Sequence, residues 1–491
     1  MNPFAPLISI ARGLAEAASP VQATREVARY RIAVPIDARS HLATGWLLLG
    51  TGALVASGLF SLLLVLSRTP GLNRFVPVAD LFHVSLVVHV DLSVLVWFAA
   101  FAGLLWALAG SPRKGGMGWS ALLLSSIGTL LMVAAPFAQG AAPIMANYIP
   151  VLDGSLFLTG LAIFGAGLAL EVVRALMYAQ PLGPRLGGAS ALRLGLLAAA
   201  VSTAVALFAF WWSWRALPPA LEGKAYYELL FWGGGHVLQF SWTLLMLVAW
   251  LWLADAIGAK VPLSPRVALL LFGLALVLVF ATPFVYLSYD VTSVEHRRLL
   301  TWMMRAGGGL AILPLSLAVV VALCSQREVA RQARPLRAAL IMSLTLFAVG
   351  GLIGFAIRGS DVRIPAHYHG CIVGVTLALM GLAYHLLPRL GFNAPRARLA
   401  HLQPYVYGIG QLLHITGLVW SGGYGVQRKV AGSAQVLSSL QEVAGMALMG
   451  IGGLVAIVGG LLFVVAVIRA LRTPAQNSAH TETRLVIDAQ R

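Results

Sequence analysis

Ile364-Pro-Ala-His-Tyr-His-Gly370 is the stretch on which the reading of this chain turns. It opens an apolar segment that continues to about residue 387, long enough to cross a bilayer core, which takes about 20 residues. Inside such a core ionisable side chains are costly and mark function by default. Residues two apart on a helix point about 200° away from each other. His367 and His369 therefore face opposite sides of one span, and the helix can serve two different groups, one on each face. Neutral imidazole is a common metal ligand, so metal centres are expected there.

Similar segments recur along the chain. Spans are expected at about 44–66, 83–109, 118–138, 150–173, 194–212, 227–253, 267–289, 299–324, 338–357, 364–387, 402–421 and 440–468. The fold class is an all-α polytopic membrane protein with twelve transmembrane helices. Of 491 residues 59% are hydrophobic and only 10% charged, with mean hydropathy +0.85. Soluble proteins carry about 25% charged residues, which excludes a water-soluble globule. The net charge of +17 follows topology rather than nucleic acid. With both termini cytoplasmic, that side holds 23 Lys and Arg against ten opposite, and Arg305 lies within a span. The positive-inside rule requires this asymmetry. A multi-pass protein of the bacterial inner membrane follows, bounded by lipid.

Residues 1–43 carry Arg12, Arg25, Arg29 and Arg31 amid Glu16 and Glu26 and lack the apolar run of a signal peptide. They read as a cytoplasmic or interfacial arm, 44–470 as the twelve-helix membrane domain, and 471–491 as a polar tail. Cys324 and Cys371 are too few for a disulfide framework or a paired-cysteine site.

Direction makes the histidines informative. Helices 2, 6 and 10 all run from the outer side inward, and His89, His236, His367 and His369 each lie within about ten residues of their helix's outer end. At about 1.5 Å per residue the four rings share one layer. Helix 7 runs outward and ends at Tyr289-Asp290, reaching that layer from below. Neutral imidazole is an axial haem ligand, and a helix wedged between two haems would need a His-x-His pair.

These motifs resemble the catalytic subunit of the haem–copper oxidase superfamily, especially its B-type and nitric oxide reductase branches. The tenth-helix match is Ile364–Gly370 followed by Leu386-Leu-Pro-Arg-Leu-Gly391. The resemblance implies that His367 binds a high-spin haem and His369 a low-spin haem, both of b type. His89, in Val88-His-Val-Asp-Leu92, is implied as the second low-spin ligand. Phe231-Trp-Gly-Gly-Gly-His236 resembles the sixth-helix motif that gives a second metal one histidine. Gly425-Val-Gln-Arg-Lys429 resembles the basic pair for haem propionates, Arg428 by a forked contact and Lys429 as a point charge.

The departures bear on substrate. The family ends helix 7 with two adjacent histidines; here Tyr289 and Asp290 take those places, with His296 nearest in the following loop. Four residues after His236, where dioxygen reductases carry tyrosine and nitric oxide reductases glutamate, stands Phe240. Gln239 faces nearly the same way as His236. A second metal held by His236 and the Asp290 carboxylate, joined by Tyr289, Gln239 or His296, is harder than a three-imidazole site and favours non-haem iron over copper. The expected function is a terminal reductase fed by a cytochrome c or cupredoxin-type partner subunit and acting on a small gas, nitric oxide rather than dioxygen. An electron-relay or gas-sensing haem subunit is the alternative of another class. A transporter lacks its broken symmetric helices, and a dehydrogenase its nucleotide domain.

Further polar groups have weaker claims. Asp91 suits a proton role or a helix–helix hydrogen bond, and Asp153 and Glu228 stand near outer helix ends. Arg305 is expected in a structural ion pair, Gly307-Gly-Gly309 in close helix packing, His83 at the membrane interface, and His385 and His414 in packing or haem-edge contacts.

Overall fold

The computed structural model describes residues 29–72, 79–138, 140–183, 186–431 and 435–472. Most of the expected arm (residues 1–28) and nearly all of the tail (473–491) lie outside these. Twelve long helices follow one another among the described residues: α1 Ala38–Arg68, α2 79–109, α3 Gly115–Phe137, α4 Ser155–Met177, α5 Gly188–Ala216, α6 Gly223–Ala256, α7 Pro265–Ser288, α8 Val294–Ser325, α9 Arg331–Phe355, α10 Arg363–Leu390, α11 Ala397–Gly423 and α12 Leu440–Arg472. Eleven are long and apolar enough to span a bilayer. The other, α11, has 27 residues, about 40 Å at 1.5 Å per residue. It carries more polar side chains, and it packs between α10 and α12. The chain is a twelve-span membrane protein.

Local chemistry moves several helix starts. α1 begins at Ala38 because the Asp37 carboxylate caps it, accepting from the Arg39 amide at 2.9 Å and pairing with the Arg39 guanidinium at 2.8 Å. α4 begins at Ser155, after Val151–Asp153 (β2) has paired antiparallel with Ala142–Ile144 (β1). α8 begins at Val294, where the Ser293 hydroxyl accepts from the His296 amide at 3.2 Å, so His296 belongs to a first helical turn and not to a loop.

Burial picks out the helices that matter. In α2, α6 and α10, 89% of the apolar window is buried, against 28–50% in the other eight helices of that class. These innermost three carry the ligand histidines of the sequence reading. α2 contains a π-helical turn, Asp91–Val96, directly after His89. The His89 carbonyl accepts from the hydroxyls of Ser93 (2.6 Å) and Ser57 (3.1 Å), side-chain bonds that compete with the regular helical ladder. On α4, Glu171 and Arg174 form a buried two-pronged ion pair at 2.5 and 2.8 Å.

Candidate functional site

α9 and α10 approach closely because Gly350 and Gly370 face each other. A Cβ on Gly350 would stand 2.5 Å from the Cys371 amide nitrogen, and one on Gly370 2.5 Å from the Gly350 Cα. The approach brings the Gly350 carbonyl to 2.7 Å from His367 Nδ1. A carbonyl only accepts, so His367 carries its proton on Nδ1 and presents a bare Nε2. The same logic fixes four more rings. His369 Nδ1 donates to Pro365 O at 2.8 Å, His89 Nδ1 to Ser57 O at 3.2 Å, His414 Nδ1 to Met449 O at 3.0 Å, and His236 Nδ1 to Trp232 O at 2.7 Å. Nδ1 anchored on a carbonyl with Nε2 left to coordinate is how proteins orient histidine ligands.

His89, His369 and His414 form one group. The rings of His369 and His414 lie 5.0 Å apart, and His89 lies within electrostatic reach of both. All three stay half-buried although α2 and α10 are the innermost helices, so open space adjoins them within the bundle. Nε2 of each has no hydrogen-bond partner among the described residues. That donor set fits a haem, which His89 and His369 would hold through their Nε2 atoms. The Arg68 guanidinium, at the end of α1, acts electrostatically on His369 and His414 while bonded to Gln435 at 3.1 Å. It is a basic group over this pocket that the sequence reading missed. His367 presents its Nε2 on the other face of α10, as a second haem requires.

His236 is buried on α6 and its Nε2 is met by the Tyr148 phenol at 2.8 Å, with the Thr301 hydroxyl at 3.4 Å. Because His236 Nδ1 is the protonated nitrogen, the phenol donates. Tyr148 stands in the turn between β1 and β2 at φ +68°, a region that costs a non-glycine residue about 1–3 kcal/mol and persists only where surroundings hold it. Its ring packs edge-on against Trp232 at 6.0 Å and over His236 at 4.8 Å. Gly235 makes the room, since a Cβ there would lie 2.3 Å from Tyr148 Cγ. Burial pushes the phenol's pKa up, and Glu228 pushes it the same way, so Tyr148 keeps its proton. His296 lies against Tyr286 at 4.6 Å, fully buried, and both its ring nitrogens lack a partner among the described residues. It lies within electrostatic reach of His236.

The rest of the expected second-metal set is placed elsewhere. Asp290 is exposed and accepts from the Thr292 amide (2.7 Å) and hydroxyl (2.5 Å), which hold its pKa down. It closes its own turn and does not bond His236. Tyr289 is exposed as well. α7 ends at Ser288 with Tyr289 already extended, so both side chains leave the helical path that would have carried them inward. Gln239 is half-buried and makes no hydrogen bond to His236. Among the described residues no three His, Cys, Asp or Glu side chains converge as a metal cage.

The basic pair is divided. Arg428 donates to Ser360 Oγ at 3.2 Å. Lys429, at φ +62°, donates to Met145 O at 2.6 Å and Asn147 Oδ1 at 3.1 Å, so its ammonium is turned to the turn that carries Tyr148 and not left free for a propionate. Asn147 in turn donates from its backbone and side chain to the Glu228 carboxylate. Burial brings the Lys429 pKa down to about 8, with Arg428 adding to the shift and Glu228 opposing it.

The remaining groups are accounted for individually. Asp153 accepts from the Tyr227 hydroxyl at 2.9 Å, His83 Nε2 lies 3.2 Å from Lys429 O, and His385 is buried with Trp252 at 6.1 Å. Asp91 is buried, and neither carboxylate oxygen has a partner among the described residues. Arg305 has no ion-pair partner among them either, contrary to expectation; it is exposed and lies over Trp302 at 6.0 Å.

Comparison with known proteins supplies the family. Residues 41–462 match the family described as Cytochrome C and Quinol oxidase polypeptide I. An uncharacterized protein of Rickettsia prowazekii is 31% identical across 87% of this chain and 96% of its own length. An uncharacterized protein of Aquifex aeolicus is 25% identical across 73% of this chain and 88% of its own. Such a match along the bundle, joined to the histidine layer on its three innermost helices, settles the family: the chain belongs to subunit I of the haem–copper oxidase superfamily, membrane oxidoreductases that bind haems and a second metal.

Proposed function

We propose that this chain reduces nitric oxide, 2 NO + 2 e⁻ + 2 H⁺ → N₂O + H₂O, in a bacterial cytoplasmic membrane with both termini on the cytoplasmic side. The observation that carries the choice is the surroundings of His236. Its Nε2 meets a phenol and a threonine hydroxyl where the family's helix 7 usually delivers two further imidazoles. A two-electron reaction asks least of such a site. Bound here, two b-type haems and one second metal would supply the electrons and hold the gas, with a cytochrome c or cupredoxin-type partner as donor.

The residues divide the work. His89 and His369 would hold the low-spin haem and His367 the high-spin one, each by an Nε2 whose opposite nitrogen is pinned to a carbonyl. His236, with His296 and the Tyr148 phenol near it, offers harder donors than three imidazoles and favours non-haem iron over copper. Glu228, Asn147 and Lys429 fix the turn that presents the Tyr148 phenol to His236.

One observation favours dioxygen instead. Tyr148 supplies a phenol at His236 although Phe240 does not, and a phenol is the extra donor that dioxygen cleavage calls for. Anaerobic purified protein with a chemical reductant decides between them, with N₂O measured by gas chromatography and dioxygen uptake by electrode. The expected result is N₂O formation that survives Tyr148→Phe. Dioxygen uptake abolished by Tyr148→Phe would select the second reading. Haem-loaded protein that turns over neither gas would leave an electron-relay or sensor subunit and refute both.

A further inference from the structure

Three arginines meet on the flank of the His236 site. Arg297, Arg298 and Arg305 line a cavity of about 430 Å³ with Trp232, Thr301 and Trp302. Its floor is part of the site already described, because the Thr301 hydroxyl lies 3.4 Å from His236 Nε2 and Trp232 Nε1 donates to Arg297 O at 3.2 Å. None of the three guanidiniums has a hydrogen-bonded or acidic partner among the described residues, and Arg297 Nε is buried without one. The nearby Asp290 carboxylate is engaged by Thr292. Three arginines without an ion pair among the described residues outnumber the two nearby carboxylates, Asp290 and Glu295, and suit an anion; the first turn of α8, whose amides carry partial positive charge, adds to that demand.

Depth and surface identify the anion. α8 has 32 residues, about 48 Å at 1.5 Å per residue, against about 30 Å of hydrocarbon. With the helix centred, Arg297 and Arg298 stand at headgroup level. Arg305, eleven residues beyond Val294, starts about 7 Å below the boundary, within reach of a side chain that extends toward the interface. Trp302 is 55% exposed beside it, and further along the same face Leu313 and Leu317 are 70% and 64% exposed. A charged cluster above an apolar track has the form of a phospholipid, phosphate first and acyl chain below.

We infer that Arg297, Arg298 and Arg305 bind the phosphate of an anionic phospholipid, whose headgroup covers the Trp232–Thr301 flank of His236. The lipid then shields that side of the site from water and narrows lateral access to it. This holds whichever gas the site reduces.

The test is native mass spectrometry of the delipidated full chain, titrated with phosphatidylglycerol, phosphatidylcholine or inorganic phosphate. Phosphatidylglycerol is expected to be retained one to one and phosphatidylcholine far less. Arg298→Gln with Arg305→Gln is expected to weaken retention about 25-fold, at about fivefold per cation removed. Arg215→Gln, which removes an exposed arginine 5.7 Å from the Trp214 ring and outside the cavity, is expected to change nothing. Should the double glutamine variant not fold, the double lysine variant keeps the charge and is expected to retain the lipid within about tenfold of the parent, while losing it would overturn the inference. Equal retention of the two lipids, undiminished retention by the folded glutamine variant, or displacement by equimolar inorganic phosphate would each overturn it too.

Discussion

Gly235→Ala tests whether the Tyr148–His236 contact is built into the fold. A methyl at 235 would stand 2.3 Å from Tyr148 Cγ and 2.6 Å from its Cβ, more than 1 Å inside ordinary contact. Tyr148 has little room to retreat: its backbone is held at φ +68° and its ring lies between Trp232 and His236. Overpacking of this kind costs about 1–3 kcal/mol, and losing the phenol–imidazole hydrogen bond adds about 1 kcal/mol. Tyr148→Ala removes the obstacle along with the hydrogen bond. The two substitutions must therefore be strongly non-additive, the double variant being more stable than the sum of the singles by about 2–4 kcal/mol. The assay is urea-induced loss of near-ultraviolet signal in detergent, run on all four proteins. Additivity within about 0.5 kcal/mol would mean that the 145–149 turn moves freely, and would remove Tyr148 from the site.

Other consequences are independent of that one. His89→Ala and His369→Ala should each abolish the low-spin bis-histidine absorption while leaving the high-spin haem, as read by haem extraction and optical spectra; retention of a six-coordinate low-spin band in both would refute the ligand assignment. Asp290→Asn should leave turnover unchanged and stability within about 1 kcal/mol, as expected of an exposed turn residue, whereas loss of the second metal by elemental analysis would return Asp290 to the site. Glu171→Gln alone should destabilise by about 3–5 kcal/mol by stranding buried Arg174, and Glu171→Leu with Arg174→Met by much less, measured by thermal unfolding. Lys429, with its pKa lowered to about 8, binds fewer protons folded than unfolded between about pH 8 and 10.5, so its contribution to stability rises with pH across that window. Turnover, which uses the charged tether to Asn147, should instead fall as pH passes about 8, and Lys429→Arg should move that limb upward; an unmoved limb would assign it to another group.

The parts legible in sequence and the parts hidden from it separate along a physical line. Spans, their count and the placing of His89, His236, His367 and His369 on the innermost helices follow from hydropathy and the 3.6-residue repeat, which act locally along the chain. Tyr148 lies 88 residues from His236 in a short hairpin turn, where no periodicity announces a side chain's direction. Only the three-glycine run before His236 hinted that something bulky must pass close to α6. His296 was legible in principle, since Ser293-Val-Glu-His carries a helix-start signal, a capping serine with Glu295 in the first turn. Reading it as a loop left it a lesser candidate than Asp290. The Asp290 error has the opposite cause. Family spacing placed the residue by position along a helix, but Asp290-Val-Thr292 prefers to satisfy its own turn, and that local hydrogen bonding ends α7 two residues too early for a ligand. The donor set around His236 is thus assembled from a hairpin turn and a helix N-terminus, elements whose direction is fixed by caps and turn chemistry and not by periodicity. That is why the histidines assigned to haem could be placed on their helices from the sequence, while the surroundings of His236 could not.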